Sequence, residues 1–74
     1  MDPTFLNSII PHIHIERMDR ADDVVIISYR LNDIISHIRW KRIQQQVNFH
    51  VVKKLGDVKT QFILLDRPIT TFQR

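Results

Sequence analysis

The chain has 74 residues, a formal net charge of +3, one Gly and no Cys. That length allows one small domain over residues 1–74. The missing Cys excludes disulfides and Cys-ligated zinc, and the lone Gly56 excludes a glycine-rich phosphate loop.

A domain this short buries only about 60% of the surface its unfolded chain exposes. Small folds usually add a staple. With disulfides excluded, association is the staple left, so an oligomer is expected. The chain holds 12 Ile, 6 Val and 4 Thr but a single Ala, a β-branched bias that points to strands. The mild positive charge permits anionic partners without requiring them. No apolar run approaches the roughly 18 residues of a membrane span. The first residues lack a basic stretch followed by an apolar one, which predicts no secretory signal.

Met1 to Ser8 reads as a tail or first turn, with Asp2-Pro3 as the turn signal. From Ile9 the pattern alternates. Pro11, Ile13 and Ile15 share one face, and His12, His14 and Glu16 the other, as in a half-buried strand. Pro11 delays that strand or puts it at an edge. Glu16 to Asp23 is a mixed-charge stretch and reads as a solvated connection. Val24 to Leu31 is a continuous β-branched run, expected as a central or doubly covered strand.

Asn32 to Gln46 fits two elements. With Asn32 or Asp33 as cap, a helix would gather Ile34, Ile35, Ile38 and Ile43 in one stripe, with Trp40 at its boundary. β-Branched residues are weak helix formers, and a strand fits as well. Val47 to Leu55 alternates, with Val47, Phe49 and Val51 on one side. Gly56-Asp57 then reads as the two-residue turn of a hairpin whose second strand is Val58 to Leu65. Arg67-Pro68 ends that strand, and Ile69 to Arg74 is a short tail or a further edge strand.

Few residues suggest chemistry. His12 and His14, on one strand face, could chelate a metal if a third ligand joined them. Two solvent-facing histidines are the simpler reading, and no metal site is assigned. No serine sits in a nucleophile motif, and the one carboxylate pair, Asp22-Asp23, lies in the charged connection. The expectation is a protein that is not an enzyme and carries no cofactor.

No acid occurs between Asp33 and Asp57, an interval holding Arg39, Lys41, Arg42, Lys53 and Lys54. This basic patch is either a solvated face or a contact for anionic lipid, protein or nucleic acid. With Trp40 as its one surface aromatic for base stacking, nucleic acid is the weaker choice. The Ile34, Ile35, Ile38, Trp40 and Ile43 set reads as core, as dimer interface, or as a segment docking into a partner's groove.

Several short motifs resemble one family. Met1-Asp2-Pro3, the stretch Ile15-Glu16-Arg17-Met18-Asp19-Arg20-Ala21, and then Ile26-Ile27, Arg30-Leu31, Ser36 and Lys41-Arg42 carry the likeness. Val51-Val52-Lys53-Lys54-Leu55 and Phe62-Ile63-Leu64-Leu65 continue it. Together they resemble the 9b-type accessory proteins read from an alternative frame inside the nucleocapsid gene of SARS-related coronaviruses. The resemblance implies an all-β, intertwined homodimer with an apolar tunnel that holds a lipid-like chain. It implies association with host membranes and mitochondria in the host cytoplasm, with the virion as a further location. It also implies docking of a central segment into the mitochondrial import receptor, which dampens innate immune signalling. Carried over, the lipid-lining positions are Ile26, Ile27, Val51, Val52, Phe62 and Leu64, and the docking segment is Asn32 to Gln46. Trp40 departs from the small residues that the family carries there.

The sequence therefore predicts an all-β or mostly β homodimer of short strands with a C-terminal hairpin and, as an option, a short central helix. The expected partners are a second copy, a lipid or membrane surface and a host receptor. A small RNA-binding protein and a ligand-free structural oligomer are the alternatives. Val51→Asp is expected to charge the interior and abolish the dimer.

Overall fold

The computed structural model describes residues 2–65. In chain order the elements are α1 (Thr4–Asn7), β1 (Ile13–Ala21), β2 (Val24–Leu31), α2 (His37–Leu55) and β3 (Lys59–Leu64). The sheet order is β1-β2-β3, with β1 and β2 antiparallel and β2 and β3 parallel. Parallel neighbours cannot be joined by a tight turn; they need a crossover, and α2 is that crossover. The protein is thus a small mixed α/β fold: strands form the sheet as expected, but the central helix held as an option is a 19-residue crossover, so the fold is not all-β. It has no C-terminal hairpin among the described residues, because the segment read as that hairpin's first strand is the second half of α2. The Arg67-Pro68 strand end and the Ile69 to Arg74 tail lie outside the described residues.

The period-two pattern does form β1 and β2. Ile13 and Ile15 are buried as expected, and β1 continues through Met18, also buried. The Glu16 to Asp23 stretch is therefore mostly strand rather than connection. Its charges are accommodated on the solvent side: Arg17 pairs with Asp19 at 2.8 Å and Arg30 with Glu16 at 2.9 Å. The register shifts between Ile15 and Arg17, a bulge that lets Met18 return to the buried face. Only Asp22-Asp23 is turn, with Asp22 at φ 57, a conformation Asp tolerates better than most residues.

Short α1 seals one end of the core with Leu6, fully buried. Its start is held by Asp2, whose carboxylate accepts from the Thr4 N–H at 3.0 Å and the Thr4 hydroxyl at 2.6 Å. These two bonds hold the Asp2 carboxyl below its ordinary value. The side chain of Asn7, at the end of α1, donates to the Ile15 carbonyl at 3.0 Å and accepts from the Ile15 N–H at 2.8 Å. It thereby occupies the outer edge of β1.

One sheet face is covered. Val25, Ile27 and Tyr29 of β2 face Ile43, Val47 and Val51 of α2, and these are the centre of the core. The other face carries Val24, Ile26, Ser28 and Arg30 from β2 and Lys59, Gln61 and Ile63 from β3, with Ile63 42% exposed. So β2 is central, as read from its β-branched run, but covered on one face only.

Candidate docking surface

Helix α2 begins where Ser36, in extended conformation, accepts the Arg39 N–H on its hydroxyl at 3.1 Å, a standard N-cap arrangement. It ends at Gly56, whose φ of 95 closes the last turn through a bond from its N–H to the Val52 carbonyl at 2.8 Å. The break expected at Gly56-Asp57 is present, but Gly56 serves a helix end and not a hairpin turn. Between these stops, Ile43, Val47 and Val51 recur every four residues, and all are at most 2% exposed. Burying each contributes roughly 1.5–3 kcal/mol, several times the propensity penalty of a β-branched residue in a helix. That is why this segment is helix.

The expected Ile stripe is split as a result. The helix starts at His37, so Ile34 and Ile35 precede it. Ile34 is fully exposed, Ile35 rests against the core, Ile43 is in the core and Ile38 is 70% exposed. Trp40 is not a free surface aromatic. Its ring stacks on Tyr29 at 4.9 Å and meets Phe62 edge-on at 5.4 Å. Burial in this cluster pushes the Tyr29 phenol above its ordinary value.

On the side of α2 opposite the sheet, an α-helical rotation of about 100° per residue places five residues in one line about 80° wide, centred on Ile38. They are Ile38 itself, Arg42, Gln45, Phe49 and Val52. Phe49 is 61% exposed and Val52 37%. Lys41 and Lys53 flank this line, and Lys53 holds its ammonium 5.9 Å from the Phe49 ring centroid. Sequence reading found the cations but placed Phe49 with Val47 and Val51 on one strand face; in the helix Phe49 points away from them. A spacing of four from Val47 to Val51, with a capping Ser36 upstream, was the signal that would have separated them.

The five predicted cations divide into two groups. Lys41, Arg42 and Lys53 belong to the outward face. Arg39 instead turns to His12, 3.5 Å away, whose other ring nitrogen is 3.3 Å from Asp33. The Lys54 ammonium lies 4.4 Å over the Phe5 ring, on the α1 side of the molecule. His12 precedes β1 and meets Asp33, whereas His14 approaches Glu16 at 3.7 Å. Among the described residues no three metal-ligating side chains gather.

The six lipid-lining positions do not line one space within the single chain. Ile27 and Val51 are fully buried in the core, Phe62 and Leu64 are half-buried beside it, Ile26 is on the open sheet face and Val52 is on the outward side of α2. No helix among the described residues is long and apolar enough to cross a membrane.

Comparison with known protein families, curated proteins and solved structures gave no match.

Proposed function

We propose that this protein is a non-enzymatic homodimer that docks on anionic lipid surfaces through the outward face of α2. The observation that carries this reading is the composition of that face. Three apolar side chains, Ile38, Phe49 and Val52, lie along its centre with Arg42 among them, Lys41 and Lys53 flank them, and α2 has no acidic residue. A face meant only for water has little reason to expose Phe and Ile at its midline. A face for nucleic acid would stack several rings on successive bases; this one offers Phe49 alone, because Trp40 is committed to Tyr29. Apolar groups that enter the acyl boundary beneath cations that meet headgroups are what an interfacial helix presents. Each cation near an anionic surface adds about 1 kcal/mol. The resemblance to the 9b-type accessory proteins supports a host-membrane setting for such a protein.

Vesicle co-sedimentation tests the reading. The protein is expected to bind phosphatidylcholine vesicles containing phosphatidylserine and to leave plain phosphatidylcholine vesicles unbound. Arg42→Glu with Lys53→Glu reverses two charges and should weaken binding by more than about tenfold. Ile38→Ser with Phe49→Ser should weaken it comparably without lowering the melting temperature, since both sites are exposed. Equal binding to both vesicle types sinks the proposal. So does retention on single-stranded RNA that ignores the Phe49 change.

A further inference from the structure

The two edges of the sheet are finished differently. At β1 the Asn7 amide occupies the edge peptide of Ile15 with two hydrogen bonds. At β3, Lys59 donates its N–H to the Asp23 carbonyl and Leu65 donates to the Tyr29 carbonyl. By the two-residue period, Lys59, Gln61, Ile63 and Leu65 turn their peptide groups to β2, so Thr60, Phe62 and Leu64 turn theirs outward. No bulge or Pro interrupts β3, and Lys59 is its one charge. Such an edge is normally blunted or covered.

We infer that β3 pairs antiparallel with β3 of a second copy, about a two-fold axis that passes Phe62 and stands normal to the sheet. The outward residues are symmetric about Phe62. In this register Phe62 meets its own mate and Thr60 meets Leu64 of the second copy, so every outward peptide group finds a partner. Charge favours the same arrangement. Antiparallel copies set their Lys59 residues at opposite ends, roughly 20 Å apart at about 3.4 Å per residue, beyond the screening length of about 8 Å; parallel copies would set them side by side. A groove of about 380 Å³ runs between α2 and this edge. Gln44, Gln45, Asn48 and Thr60 line it with Lys41 and Phe62. Amides and hydroxyls both donate and accept, so this patch can face a copy of itself.

The resulting sheet has the order β1-β2-β3-β3-β2-β1. An axis normal to the sheet keeps both α2 helices on one face, so both outward lines point the same way. The dimer therefore presents two docking helices to one flat surface. This last step rests on the lipid-docking reading; the strand pairing does not.

Sedimentation velocity of the full chain is expected to show a dimer. Thr60→Pro removes an outward N–H and leaves the β2 ladder intact, and should give a monomer with unchanged helical circular dichroism. A second measurement covers the case in which that variant misfolds. Gln61→Cys and Ile63→Cys face each other across the proposed pair, in a chain with no Cys of its own. Their mixture should form disulfide-linked heterodimers on mild oxidation, in far higher yield than either alone. Monomeric wild-type protein, dimeric Thr60→Pro or a mixture that does not crosslink overturns the pairing. Vesicle affinity should fall about tenfold or more in the monomeric variant as bivalency is lost. An intact dimer that ignores anionic vesicles overturns the docking role alone.

Discussion

Asn7 does with one side chain what a neighbouring strand does elsewhere in the sheet. Its amide offers one donor and one acceptor, and both are used on Ile15. Asn7→Ala should destabilise the chain by about 1–2 kcal/mol, the net value of two part-buried hydrogen bonds. A lower urea midpoint with an unchanged m-value would show it. Tyr29 gives a pH prediction. Its folded-state value is raised by burial, so the stability it supports is complete below the ordinary phenol value near 10. That stability is lost as pH rises through the raised value. Tyr29→Phe should leave stability at neutral pH within about 1 kcal/mol, because no hydrogen bond to the hydroxyl occurs among the described residues. It should also flatten the alkaline decline. Tyr29 is the only Tyr in the chain, so the absorbance of its phenolate reports the titration directly.

At the scale of elements, α2 decides both the fold and the face it offers. Val51 is fully buried on its inner side. A carboxylate placed there by Val51→Asp would have no partner and would unfold the protomer, so its effect on assembly could not be read. Truncation is the better probe. Val47→Ala and Val51→Ala should each cost about 2 kcal/mol, while Phe49→Ala should stay within about 0.5 kcal/mol, as exposed sites do. A strand would group the three together, so chemical denaturation of these variants separates helix from strand. The same three residues show why α2 was hard to read. Val47, Phe49 and Val51 satisfy a period of two, and Ile43, Val47 and Val51 satisfy a period of four. Burial, which a sequence does not display, chooses between them. β2 was legible because its β-branched run lies between Asp22-Asp23 and Asn32-Asp33, and β3 because Gly56-Asp57 marks a break just before it. The second half of β1 was hidden because its open face carries Arg17, Asp19 and Glu16, whose charges are paired within the sheet. The cations of the docking face were equally plain, whereas Phe49 and Val52 resemble core residues until the helix turns them outward.

For the whole molecule, the short length first suggested that a partner is needed, and the fold now locates the need. One layer of helix covers one face of three strands, and the half-buried Phe62 and Leu64 lie beside the edge of β3 that no other described strand pairs with. A second copy paired there closes the core from that side. Closure also sets the size of the assembly, because two chains that each have one open edge satisfy one another and stop. At β1 that limit rests on the bulge between Ile15 and Arg17 and on the side-chain amide of Asn7. Asparagine followed by serine, as in Asn7-Ser8, is chemically prone to lose ammonia to a cyclic imide that takes up water and opens to a carboxylate. The new carboxylate could still accept from the Ile15 N–H, but it would face the Ile15 carbonyl with no proton to give. An aged chain would then have two edges to offer, and dimers could add end to end into fibres. In that sense one amide nitrogen is among the guards between a finite particle and a polymer, and part of the protein's shelf life is written near the start of its chain.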